Sequence, residues 1–207
     1  METITRLLFW VANSLLIPNI IILLILFVRS LILIGSFYNS YMVKRKTDGN
    51  LRQIKDITPD TVSDLRNILP RDNHTLFTRY LADFLSRPVD DDYVNFQLNN
   101  FENEAEKDIS LSKLLAKIGP VLGLIGTLIS MSPALVGLSA GDIGGMAYNM
   151  QIVFATTVVG LVISLIGLVT LQYKQRWYAK DLNNLEYITA QLIQKEQNHE
   201  PKSETEE

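Results

Sequence analysis

Residues 118–173 read IGPVLGLIGTLISMSPALVGLSAGDIGGMAYNMQIVFATTVVGLVISLIGLVTLQY, 56 residues carrying one charge, Asp142. A water-soluble domain scatters charge over its surface, whereas a block this long and this neutral belongs in hydrocarbon. It divides into two spans of membrane-crossing length, 119–138 and about 150–173. A linker, 139–149, joins them and holds Gly141, Gly144 and Gly145. The whole chain has 207 residues, is 47% hydrophobic and has a formal net charge of −3. Those averages conceal the segregation, because the stretch from Lys44 to Lys113 is dense in charge of both signs.

Working towards the N-terminus, Arg6 precedes a long apolar run. It exceeds a signal-peptide core and no small-x-small cleavage site follows, so the reading keeps it in the protein. Two framings of this first span are open. One runs 7–28 and places Asn13, Ser14, Pro18 and Asn19 in the hydrocarbon. The other runs from Pro18 to about Tyr41, within 18–42, with residues 1–17 as an interfacial amphipathic helix. The second is preferred: proline suits a first helical turn and Trp10 suits the membrane–water boundary. It leaves Arg29 near mid-span, facing a polar cavity or snorkelling to a lipid headgroup.

Residues 43–118 read as a helical soluble region. Thr58-Pro59-Asp60 marks a helix start and Pro70 a stop. Asn73 caps another helix running to Arg87, with Pro88 beyond it. A long helix over 90–117 stacks Phe101, Ala105 and Ile109 at i, i+4 and runs straight into the second span. After the third span, residues 174–197 form another helix. Tyr178, Leu182, Leu185, Thr189 and Leu192 make a heptad seam on it, weakened by the polar threonine. That seam packs either on helices of its own chain or in a self-associating bundle. The polar, acidic segment 198–207 has the composition of a disordered tail.

The distribution of Lys and Arg orients the chain. Lys44, Arg45 and Lys46 follow the first span, Lys107, Lys113 and Lys117 precede the second, and Lys174, Arg176 and Lys180 follow the third. The 139–149 linker has neither residue. By the positive-inside rule the N-terminus is outside, and the 43–118 region and C-terminal helix are cytoplasmic. The expected fold is therefore an all-α membrane protein with three transmembrane helices and a helical cytoplasmic domain.

Several function classes drop out. Cysteine is absent, which removes a disulfide framework, a Cys-ligated zinc site and a thiol nucleophile. His74 and His199 have no second ligand at metal spacing, so no metal or cofactor is expected. Slight acidity with alternating signs argues against nucleic acid. There is no internal repeat and no phosphate-binding loop. The spans hold no Ser-His, paired-Asp or metal-ligand constellation, which leaves an intramembrane hydrolase, or any enzyme, without support.

What the spans do contain is small residues at helical spacing. Gly119 and Gly123 form one small-xxx-small pair, Gly126 and Ser130 a second, and Thr156, Gly160 and Ser164 continue the device in the third span. Such spacing lets membrane helices approach closely. Thr127, Thr156 and Thr157 add hydroxyls. A helical threonine can simply bond its own i−4 carbonyl, or it can line a wet path or pair with a carboxyl group. No Asp, Glu, His or Lys lies inside spans two or three. Proton coupling needs a titratable group in the membrane, so any such group must come from another chain.

These residues resemble a known family. GPVLGLIGTLISM (119–131) looks like the second-span motif of the MotA/TolQ/ExbB proton-channel family. FATTVVGLVISLIG (154–167) is similar to its third-span motif. The span count, layout and trailing helix resemble the shorter TolQ/ExbB branch. The resemblance implies an ion-driven stator subunit of a bacterial-type inner membrane, a molecular motor serving ion or protein transport. It implies a homo-pentamer around two copies of an ExbD/TolR/MotB-like single-span partner carrying a membrane Asp, with membrane lipids around it. Carried over by position, Thr127 and Thr157 fall on the family's pore-lining threonines, with Thr156 and Gln151 beside them. Relatives often have glutamate where this chain has Ile152, next to Gln151. The ion could be a proton or sodium. The competing reading is a non-conducting scaffold whose small-residue spans only assemble helices.

Overall fold

The computed structural model describes residues 2–50, 75–87 and 90–199. The helix signals at Thr58-Pro59-Asp60, Pro70, Asn73 and Pro88, together with His74 and residues 200–207, lie outside the described residues. Among those described there are five helices and no strand: α1 (Glu2–Ser14), α2 (Leu16–Asn50), α3 (Leu76–Phe84), α4 (Asp91–Ser139) and α5 (Ile143–His199). The expectation of an all-α membrane protein is met. Three stretches are long and apolar enough to cross a membrane: Arg6–Arg45, Asp91–Ser139 and Ile143–Lys195.

The chain divides into two units, Met1–Phe37 with Ser110–Gln172 and Tyr38–Ile109 with Tyr173–Glu207. The first is the apolar unit. Helical geometry is interrupted at Leu15, and Pro18 stands third in α2, where its missing N–H breaks no helical bond. The α1 side chains of residues 3, 4 and 6–14 are all exposed, Trp10 among them. Leu23 and Leu33 of α2 pack with Leu115, Ile163 and Ile166 as the buried apolar cluster. Arg29 is exposed on α2 and bonds to no described residue.

The turn between α4 and α5 is tighter than the 139–149 linker expected from its glycines: only residues 140–142 lie outside the helices. Gly141 takes φ +77°, a backbone conformation that glycine adopts without strain. The Asp142 carboxylate then accepts from Gly145 N–H at 2.8 Å and caps α5. A methyl group on Gly145 would collide with that carboxylate. The glycines therefore serve the cap instead of breaking the helix.

The second unit has a core of large side chains. Phe77, Tyr80, Leu81 and Phe84 of α3 pack with Val94 and Phe101 of α4 and with Leu185 and Ile188 of α5. The 101/105/109 stack is buried. The heptad seam resolves to packing within the chain: Tyr178, Leu182, Leu185 and Leu192 all join this core. Thr189, buried at the seam, donates to Leu185 O at 2.9 Å. The α3 cap is Thr75, whose hydroxyl accepts from Thr78 N at 3.2 Å, so the helix starts after the expected Asn73 and ends at Phe84, short of Arg87.

Candidate functional site

Within the apolar unit, α4 and α5 run antiparallel in a single register. Ala116 meets Gly167, Gly119 meets Ser164, Gly123 meets Gly160, Gly126 meets Thr156 and Gly137 meets Met146. Except at Gly126, which meets the Thr156 side chain, the contacts are backbone to backbone. A methyl on Gly160 would approach Gly119 O to 2.5 Å, and one on Gly167 would approach Ala116 N to 2.5 Å. Gly119, Gly123, Gly126, Ser130, Gly160 and Ser164, the residues singled out for helix packing, are all buried along this strip. Small residues replace the hydrophobic drive that water supplies elsewhere and lipid cannot.

Thr156 belongs to this contact. It is buried over Gly126, whose added methyl would lie 2.7 Å from its hydroxyl, and it donates to Ile152 O at 3.0 Å. Thr157, one residue on, is half-buried and donates to Val153 O at 2.9 Å. Thr127 is likewise half-buried and donates to Leu124 O at 2.7 Å. Gly123, one turn before Thr127, lies against the Thr157 backbone, 3.4 Å from Cα to an added methyl. The two half-buried threonines thus border the same contact, while Gln151 is exposed on α5.

In both half-buried threonines the hydroxyl proton is already committed to a backbone carbonyl. Outward they offer oxygen lone pairs, which accept hydrogen bonds. Asp142, the single acid of residues 118–173, sits in the turn as a helix cap. No group of three or more His, Cys, Asp and Glu that could hold a metal occurs among the described residues.

Three features had weak signals in the sequence. Asn19 of α2 is buried and donates from Nδ2 to Leu122 O at 3.2 Å, tying the first span to the second. Ser164 donates to Ala116 O at 3.0 Å. In the charged unit, Lys44 and Asp181 form a buried ion pair, and the Asp108 carboxylate accepts from Lys174 at 2.8 Å and from Tyr178 at 2.7 Å. Burial, and secondarily Asp108, push the Tyr178 phenol well above its ordinary pKa. Lys44, Asp181, Asp108 and Tyr178 line a cavity of about 530 Å³ with Trp177.

No curated protein matches the chain. The family model described as the MotA/TolQ/ExbB proton channel family matches residues 79–187, just over half of the chain. That range takes in the whole α4–α5 strip, both half-buried threonines and most of the core of the charged unit. The chain is a multi-pass membrane protein that belongs to the MotA/TolQ/ExbB proton channel family.

Proposed function

We propose that this protein is the channel-forming stator subunit of an inner-membrane ion-driven motor, with protons passing along the face that bears Thr127 and Thr157. Five copies surround two copies of a single-span partner that brings a membrane Asp. The N-terminus lies outside, the first span runs from Pro18 to about Tyr41, and the charged unit and C-terminal helix are cytoplasmic. No covalent chemistry is catalysed.

The observation that carries this reading is the pairing of two accepting hydroxyls with the lack of any Asp, Glu, His or Lys inside the spans of α4 and α5. Thr127 and Thr157 give their protons to Leu124 O and Val153 O, so each presents an acceptor. An acceptor binds the protonated acid or a water, not the bare carboxylate. Such a site favours loading of the partner's Asp with a proton before it moves on.

The test is proton flux in vesicles holding this subunit and its partner, with assembly followed by native mass measurement. Valine keeps the shape of threonine and removes the hydroxyl. Thr157→Val abolishes flux, and Thr127→Val lowers it less, with the pentamer intact in both. Thr156→Val has the smaller effect, because that hydroxyl faces Gly126 within the chain. Undiminished flux in the Thr127/Thr157 double variant overturns the reading and leaves the scaffold.

A further inference from the structure

Pro120 lies inside α4. A proline has no N–H, so the carbonyl four residues earlier, that of Ala116, loses its helical partner. Ala116 lies in the apolar unit just before the second span, half-buried against α5, and a carbonyl held there needs another donor. The side chain that reaches it comes from the facing helix: Ser164 Oγ donates to Ala116 O at 3.0 Å. Ser164 is only 6% exposed, so water does not compete for that carbonyl from its side. One turn along the same face, Gly167 brings the α5 backbone against Ala116, and Gly119 lies beside the Ser164 backbone nitrogen.

We propose that Ser164 is a positioning residue for the ion path: its hydroxyl replaces the hydrogen bond that Pro120 removes, and so pins the register of α4 against α5. The register matters because Ala116 and Thr127 are eleven residues apart, about three turns, and lie on nearly one line of α4. Any slip at Ala116 is therefore passed to the height of Thr127 relative to Thr157. Small residues permit close approach at several registers. A directional bond to one freed carbonyl selects a single one.

The consequence for ion flux rests on the proposed channel function; the bond and its dependence on Pro120 do not. The test is a double-mutant cycle of Ser164→Ala and Pro120→Ala on the full chain. In the Pro120→Ala background the residue-120 amide can itself satisfy Ala116 O, so the serine loses its task. Labelling with carbonyl-13C alanine and 15N lysine isolates two carbonyls, at the Ala116–Lys117 and Ala179–Lys180 pairs. Ser164→Ala should move the Ala116 signal and leave the Ala179 signal in place. It should also lower the thermal midpoint by roughly 2–4 °C. In the Pro120→Ala background Ser164→Ala should do neither. With its partner in vesicles, Ser164→Ala should cut flux severalfold without loss of the pentamer. An unmoved Ala116 signal, or an equal thermal cost in both backgrounds, overturns the positioning role. A moved signal with unchanged flux keeps the bond and overturns its bearing on the ion path.

Discussion

The two units of this chain solve packing in opposite ways. In the apolar unit the residues at the α4–α5 contact are the smallest available, and hydroxyls bond backbone carbonyls. In the charged unit the buried residues are Phe77, Phe84, Phe101 and Leu81, with Lys44 and Asp181 paired among them. The difference follows from the surrounding solvent. Water rewards burial of large apolar side chains. Lipid does not, so close backbone approach and hydrogen bonding must supply the attraction.

The sharpest way to break this contrast is to enlarge a glycine of the strip. Gly160→Val places carbon 2.5 Å from Gly119 O, against backbone that cannot move aside. We expect loss of folded protein, seen as aggregate in size-exclusion chromatography. Gly35→Val meets nothing within 4 Å and should elute as the parent does. Equal behaviour of the two variants would refute the strip as the organising contact.

In the charged unit the largest effect should come from removing one member of the buried ion pair. Lys44→Met takes the buried cation away from the Asp181 carboxylate and should cost about 3–5 kcal/mol. Lys44→Met with Asp181→Leu should regain most of it, because two apolar groups need no compensation. A thermal melt of the single and double variants decides between a required pair and a replaceable one. A slightly smaller loss is expected from Leu185→Ala, about 2–5 kcal/mol for a fully buried leucine. The same truncation at exposed Leu165 should be within about 0.5 kcal/mol in a lipid-like detergent.

The smallest effect is a pH dependence confined to the charged unit. The Tyr178 phenol is held above its ordinary pKa in the folded chain, so the folded form keeps a proton that the unfolded form loses near pH 10. That contribution is fully present below pH 10 and is lost as pH rises through the raised value. Melting points should therefore fall from pH 9 upward more steeply in the parent than in Tyr178→Phe. Parallel curves would show that Tyr178 contributes no such term.

The spans and the small-residue strip were legible because both are periodic: hydropathy marks the spans, and the steps of four and three residues from Gly119 to Ser130 mark the face. The 178/182/185/189/192 seam was legible as a face, but its partner was not. Heptads say that a face is buried and leave open against what. The Lys44–Asp181 pair joins residues 137 apart, and nothing local to either foretells the other. The cap at Thr75 was missed because Asn73 is the stronger capping type. Ser164 was read by its size alone, and the clue to its bond lay 44 residues away in Pro120.

The turn at residues 140–142 has a consequence for how the protein is made. Its one carboxylate is folded back onto Gly145, it holds no Lys or Arg, and three residues suffice to reverse the chain. On the proposed topology, a connection so short and so nearly neutral offers little resistance to translocation, and neither of its helices can be threaded far ahead of the other. We therefore expect α4 and α5 to insert as one hairpin, which would bring the Gly119–Ser164 and Gly123–Gly160 contacts into the bilayer side by side. Assembly of the unit would then begin from a matched pair and not from a search among separate helices.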